Sequence, residues 1–377
     1  MGPRKKARRK AKAQPSAPAV AAAPELVELR RRIDGLDAEI VRLINERAKC
    51  AGRIGELKRA QGAPVFVPAR EKAVYDRVQA LNKGPLPAEA MKAIYREIMS
   101  GSLALERCPR VAYLGPDGTF SHKAARGKFG SSVEYHPASS FRDVFLAVSR
   151  GHADYGVIPV ENSTDGGVNP AMDCFMETRL KICSEIFIPV HQNLLSRSAR
   201  GAIRTIYSRP EVFGQCRQWL GANFPEAALQ DSASTMAAAE RAAREPGAAA
   251  IGPDTAAEAC GLAILEEAIE DNPENVTRFV VISRDAAEPT GRDKTSLMFS
   301  ISDAPGALLG MLSPFSKRRI NLTRIESRPS KKKAWDYYFF VDLEGHIKTP
   351  AVEAAIKELS GRCRHLAVLG SYPAAEV

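Results

Sequence analysis

The sequence has no apolar run approaching the roughly 18 residues that a membrane span needs. No signal-peptide core is visible near its start. It has no C-x-x-C pair and no cysteine/histidine cluster at zinc spacing, so no metal site is expected. The seven cysteines (Cys50, Cys108, Cys174, Cys183, Cys216, Cys260 and Cys363) are odd in number and scattered. That distribution suits reduced thiols in a cytoplasm better than a disulfide framework. The glycines of the stretch Tyr113–Ala125 lack the lysine of a phosphate-binding loop and the spacing of a dinucleotide fingerprint, which argues against a nucleotide cofactor. Three N-x-T triplets, at Asn162, Asn275 and Asn321, are not read as glycosylation sites without a secretory signal.

At 377 residues the chain exceeds one ordinary core and calls for two or three domains. Its net charge of +10 owes seven units to Arg4, Lys5, Lys6, Arg8, Arg9, Lys10 and Lys12, which leaves +3 for the rest. Residues 1–24 are basic, then Ala/Pro-rich, and read as a disordered tail that builds no core. A nucleic-acid or membrane role for it is not favoured.

The next segment, residues 25–107, repeats Leu26, Leu29, Ile33, Leu36, Ile40, Leu43 and Ile44 at helical spacing. No proline falls between Pro24 and Pro64, so the spacing predicts one helix of about 35 residues, followed by helices near 68–82 and 87–106. Such a stripe predicts a homodimer or higher even oligomer. Arg47 and Lys58 are eleven residues apart and share a face within about 20°. Arg30 lies about 25 Å from Arg47 along the axis. If both hold one small ligand, Arg30 comes from a second chain.

Residues 109–286 alternate strands and helices in two sets, the rhythm of a doubly wound sheet in two lobes with a cleft between them. Thr119 or Ser121 starts a helix, as do Ser234 and Thr235, and helix N-termini bind anions. Glu161, Asn162, Ser163 and Thr164 follow a strand's C-terminal end, where open α/β sheets bind ligands. Thr277-Arg278-Phe279 heads a later strand. If that strand runs antiparallel to the others, Thr277 enters the same cleft. Residues 294–373 read βαββαβ, the ferredoxin-like order.

The order of these motifs, Glu161–Thr164, then Thr277–Phe279, then Glu326-Ser327-Arg328-Pro329, resembles the bifunctional chorismate mutase/prephenate dehydratase family from about Glu25 to Tyr372. The resemblance implies a multidomain chain. Its parts are an all-α helical chorismate mutase dimer domain, a two-lobed α/β (periplasmic-binding-protein-like) dehydratase domain and an α+β ferredoxin-like ACT regulatory domain. It implies chorismate and prephenate as substrates, phenylalanine as effector, no cofactor and a cytoplasmic location. Feedback inhibition by phenylalanine follows from it.

By the same resemblance, Arg30 is the arginine that crosses from the partner, and Arg47, Lys58 and Arg70 are further mutase contacts. Ser102 and Glu106 come from the last helix. Lys58 and Glu106 take catalytic roles at the ether oxygen, Glu106 only when protonated, which implies a raised pKa or a mildly acidic optimum. Some relatives place aspartate where this chain has Val67. In the dehydratase, Thr277 is the catalytic residue, Phe279 a pocket wall and Arg278 an organiser or carboxylate contact. Thr119, Ser121, Asn162, Ser163, Thr164, Ser234 and Thr235 line that site. Effector contacts fall on Gly306, Ala307, Leu308, Leu309, Asn321, Leu322, Glu326, Ser327, Arg328 and Pro329. Two rivals are weighed: a monofunctional dehydratase whose helical domain only dimerises, and a non-catalytic anion sensor.

Overall fold

The computed structural model describes residues 24–61, 66–301, 304–330 and 337–375. It divides into two compact units, one ending at Cys50 and one beginning at Ala51. The long helix α1 runs Pro24–Ala60. Pro24 sits in its first turn, where the missing N–H has no intrahelical partner to lose. Up to Cys50 its apolar residues Leu26, Leu29, Ile33, Leu36, Ile40, Leu43 and Ile44 are 36–56% exposed. Within the unit ending at Cys50, no described residue covers this stripe. Surface pairs such as Arg42–Glu39 at 2.7 Å add little in water.

In the unit from Ala51, α2 (Pro68–Leu81) and α3 (Ala88–Arg107) follow. They dock on the first lobe, where Lys128 pairs with Glu71 at 2.6 Å and Phe66 packs on Phe129 and Tyr155. That lobe is built from β1 (Arg110–Leu114), α4 (Phe120–Phe129), β2 (Glu134–Ala138), α5 (Phe141–Ser149), β3 (Tyr155–Asn162), β4 (Gly166–Gly167), α6 (Asn169–Phe175) and β5 (Lys181–Pro189). The chain then crosses into a second lobe. Its elements are β6 (Asn193–Ser196), β7 (Thr205–Ser208), α7 (Pro210–Gln215), α8 (Arg217–Asn223), β8 (Ala228–Asp231), α9 (Thr235–Arg244), β9 (Ala248–Gly252), α10 (Asp254–Cys260) and β10 (Ala263–Glu266). It returns to the first lobe as β11 (Val276–Ser283).

The first sheet is ordered β2-β1-β3-β11-β5 with β4 beside β3, and the second β10-β6-β9-β7-β8. The two crossings run side by side: Val190 donates to the Asn275 carbonyl and Ile269 to the Gln192 carbonyl, both at 2.8 Å. Glu270, buried between them, accepts from the Gln192 backbone and pairs with His191, again at 2.8 Å.

The C-terminal domain contains β12 (Asp293–Ser300), α11 (Ala307–Lys317), β13 (Leu322–Pro329), β14 (Tyr337–Glu344), α12 (Pro350–Ser360) and β15 (His365–Pro373), with sheet order β13-β14-β12-β15. The βαββαβ reading is met. Residues 302–303, before α11, and 331–336, between β13 and β14, lie outside the described residues. Strand alternation gives the sheet two buried faces. Leu297, Phe299 and Val341 meet the helices, whereas Met298, Phe340 and Tyr372 join the core of the first lobe. The approach is close at Gly370, where a Cβ would lie 2.1 Å from the Ile182 carbonyl oxygen, so only glycine fits.

Candidate active site

β11 runs antiparallel to β3 and pairs Thr277 with Asn162, so the condition set on Thr277 is met. The Asn162 amide donates to Thr277 Oγ1 at 2.9 Å and to Asn275 Oδ1 at 2.8 Å. Asn162 Oδ1 accepts from the backbone of Thr164 and Asp165 at 2.9 and 3.0 Å. These bonds fix which end of the amide faces Thr277. Thr277 Oγ1 therefore acts as acceptor toward Asn162, and its own proton is free to point elsewhere. Ser163 Oγ accepts from Val276 N at 2.9 Å, tying the same turn to the start of β11.

Thr119 caps α4 by accepting from His122 N at 3.3 Å, and Ser234 caps α9 by accepting from Ala237 N at 3.0 Å. Ser121 and Thr235 are buried in the first turns of these helices. The two lobes touch through Lys123–Asp254 at 2.8 Å and Thr255 Oγ1 to the Gly118 carbonyl at 2.8 Å. Near Asn162 they touch again through Gln215 to Asp165 at 3.2 Å. Gln215 also accepts from Gln192 at 3.1 Å. Sequence reasoning singled out neither glutamine, since neither lies in a motif. His122 is a structural residue here. It stacks on Tyr113 and accepts from Gly118 N at 3.0 Å, and burial lowers its pKa, which keeps the ring neutral.

The two residues after Thr277 lie on opposite faces of the sheet. Strand alternation sends Thr277 and Phe279 to the α4 side of the sheet and Arg278 to the other. Phe279 is 1% exposed and belongs to the core with Tyr113 and Phe129, so it is not an open pocket wall. The Arg278 guanidinium is spent on protein groups: Glu185 at 2.9 Å, Asp342 at 2.5 Å and the Tyr372 hydroxyl at 2.8 Å. Burial alone would lower its pKa, but Tyr372, Asp342 and Glu185 raise it, so it stays charged. Its bonds tie β11 to β5 and to the C-terminal sheet.

Among the helical residues, Glu106 lies against Gly55, where a Cβ would fall 2.5 Å from Glu106 Cγ. Its Oε2 is buried without a hydrogen-bond partner among the described residues. Burial raises its pKa, partly offset by Lys58 and Arg59. Ser102, one turn earlier, is buried and donates to the Ile98 carbonyl at 2.8 Å. Arg70 stands exposed in the first turn of α2, just after Val67, which precedes that helix. Arg30 and Arg47 belong to the unit ending at Cys50.

In the C-terminal domain, Gly306 takes a left-handed φ of 75° immediately before Ala307 and Leu308, and Leu309 is 74% exposed. Asn321 donates to Glu344 at 3.2 Å, and Leu322 opens β13. The edge strand β13 splits its residues between two faces. Ser327 and Pro329 are exposed, whereas Glu326 pairs with Arg324, and Arg328 pairs with Asp173 of α6 at 2.8 Å. The side chains of Glu326 and Arg328 thus engage protein groups on the face toward the first lobe.

Together these features define a chain with a helical part, a two-lobed α/β part whose cleft carries a threonine–asparagine pair, and an appended βαββαβ domain. Three families match in that order: chorismate mutase type II over residues 29–107, prephenate dehydratase over 111–287 and the ACT domain over 295–361. The chain is 49% identical over 356 residues to a bifunctional chorismate mutase/prephenate dehydratase of Aquifex aeolicus, covering 93% of this chain and 98% of that one. It is 44% identical to the protein of the same name from Stutzerimonas stutzeri, covering 94% and 99%. A prephenate dehydratase of Arthrobacter aurescens, solved in complex with L-Phe, superposes with a TM-score of 0.66 at 34% identity over 71% of this chain and 90% of that one. The chain belongs to the bifunctional chorismate mutase/prephenate dehydratase family and carries both enzyme domains. Among the described residues, no helix is long and apolar enough to cross a membrane.

Proposed function

We propose that the chain rearranges chorismate to prephenate in its helical domain, and in its cleft dehydrates and decarboxylates prephenate to phenylpyruvate. Phenylalanine is the proposed inhibitor. The observation that carries the second step is the Asn162–Thr277 bond at 2.9 Å. Because Thr277 accepts there, its hydroxyl proton is available to the leaving ring hydroxyl. A threonine is too weak an acid to deliver that proton outright. Aromatisation supplies the driving force, so a hydrogen bond that strengthens as the C–O bond breaks lowers the barrier. The N-termini of α4 and α9 offer backbone N–H groups and partial positive charge to the substrate's carboxylates.

The first step needs no nucleophile. Arginines hold the dicarboxylate in its folded form, and donors stabilise the ether oxygen. Lys58 and a protonated Glu106 are the proposed donors, with Arg47, Arg70 and Ser102 as further contacts and Arg30 of the partner subunit closing the site. The exposed stripe on α1 supports a dimer in which this crossing occurs. For the effector, the outward residues Ser327 and Pro329 with Gly306–Leu309, Asn321 and Leu322 are the proposed contacts, at an interface between two copies.

Feeding chorismate to Thr277→Ala tests this reading. Prephenate accumulates at the unmodified rate and phenylpyruvate formation falls by about 10³-fold or more. Equal loss of both activities would place the dehydratase chemistry elsewhere.

A further inference from the structure

An effector on β13 and the threonine of β11 would lie on different domains, so inhibition needs a physical connection between them. The inner face of the C-terminal sheet supplies a connection. Arg324 and Glu326, two residues apart on β13, form an ion pair. Arg324 Nε lies 3.5 Å from Glu161 Oε2, and the same oxygen lies 3.5 Å from Arg278 Nη1. Glu161 immediately precedes Asn162, which orients Thr277, and Arg278 immediately follows Thr277. Asp342 of β14 anchors the seam from the C-terminal domain, binding Arg278 at 2.5 Å while accepting from Ser296 at 2.5 Å.

Three features suit the seam to transmission. First, its anchors are desolvated: the side chains of Arg278, Asp342 and Arg324 are 7%, 6% and 11% exposed, so these charges interact strongly with their neighbours, while Glu161, at 37%, keeps the freedom to exchange partners. A buried carboxylate or guanidinium cannot lose its partner without finding another. Second, its two links through Glu161 are long, whereas the anchors at Asp342 and Glu185 are short. A small displacement of β13 is therefore taken up at Glu161. Third, there is room to move. A cavity of about 20 Å³, enough for one water, lies among Arg278, Arg324, Asp342 and Ser296. The buried Nε of Arg328 also lacks an acceptor among the described residues.

We propose that the inhibitory signal passes from β13 to Thr277 through this seam, with Arg324 and Asp342 as its positioning residues. The proposal rests on the assignment of the effector site to β13 and of the chemistry to Thr277. Binding at the outer face of β13 shifts Arg324 and Glu326 on its inner face. Glu161 then exchanges between Arg324 and Arg278, and the Asn162 turn moves with it, turning the Thr277 hydroxyl out of line.

The test uses the full chain with Arg324→Gln and Asp342→Asn, each checked for folding by near-ultraviolet circular dichroism. Phenylalanine binding is measured by calorimetry and prephenate turnover over a phenylalanine series. We expect binding within about threefold of the unmodified protein, an inhibition midpoint raised at least tenfold and turnover without effector within about threefold. Arg324→Lys, which keeps the charge, restores part of the inhibition and keeps the test open if Asp342→Asn fails to fold. An unchanged midpoint in the Arg324 and Asp342 variants overturns the proposal. So does loss of phenylalanine binding itself, which would put these residues in the effector pocket. If the unmodified protein neither binds phenylalanine nor responds to it, the effector assignment fails, and the seam's role falls with it.

Discussion

The helical part and the two-lobed part solve the problem of building a site in opposite ways. In the lobes, Asn162, Thr277 and the capped helices α4 and α9 are all held by bonds within one chain, over buried cores. In α1 up to Cys50, the apolar stripe has no cover from the described residues of its own unit, and Leu36 and Ile40 are more than half exposed. If the proposed mutase site takes Arg30 from a second copy, it depends on that pairing, whereas Thr277 and Asn162 meet within one chain. The two activities should therefore respond differently to anything that separates the copies.

Charging the stripe breaks this comparison most severely. In the Leu36→Asp/Ile40→Asp double variant, chorismate turnover falls by about 10³-fold, because the partner's arginine is lost along with the buried stripe. Prephenate turnover stays within about threefold, since sites without shared partners behave independently. The measurement is both rates beside the sedimentation coefficient. Parallel loss of both activities would show that the cleft also needs the helical dimer.

Asn162→Asp attacks the other side. A carboxylate in place of the amide cannot donate to Thr277 and turns the hydroxyl proton inward, away from the substrate. Phenylpyruvate formation is expected to fall by about 10²-fold, with chorismate turnover unchanged. A variant as fast as the unmodified protein would mean that Asn162 only shapes the turn through Thr164 and Asp165.

The sequence foretold elements better than faces. The long helix was legible because no proline falls between Pro24 and Pro64, and the βαββαβ domain because its strand and helix periods alternate cleanly. The meeting of Thr277 with Asn162 was legible up to one condition, the direction of β11, which local pattern does not set. Which groups Arg278 and Phe279 meet was not legible in the sequence, for one physical reason. Alternation shows that neighbours in a strand face opposite ways, but not which domain covers each face. Here the C-terminal sheet covers one face and α4 the other. Gln192 and Gln215 escaped notice because their role arises only where the two lobes meet. Gly55 did carry a signal, a glycine within a long helix against propensity, and the structure gives its reason in the close approach of Glu106.

The mildest expected effect concerns pH, and it again separates the two halves. Burial lifts the Glu106 carboxyl above its ordinary range, with Lys58 and Arg59 pulling the other way. The protonated form, which alone can donate, is therefore lost as pH rises through that raised pKa, and chorismate turnover declines with it. The linkage has the same sign for stability. The folded state binds this proton more tightly than the unfolded one, so the group's contribution is most favourable below the ordinary carboxyl pKa and falls until the raised value is passed. Glu106→Gln supplies a permanent donor of similar shape. It should flatten the chorismate profile and raise the alkaline rate by about tenfold. Prephenate turnover, which does not use Glu106, keeps its own pH profile in the variant. A chorismate profile already flat from acid to alkaline pH in the unmodified protein would remove Glu106 from the reaction.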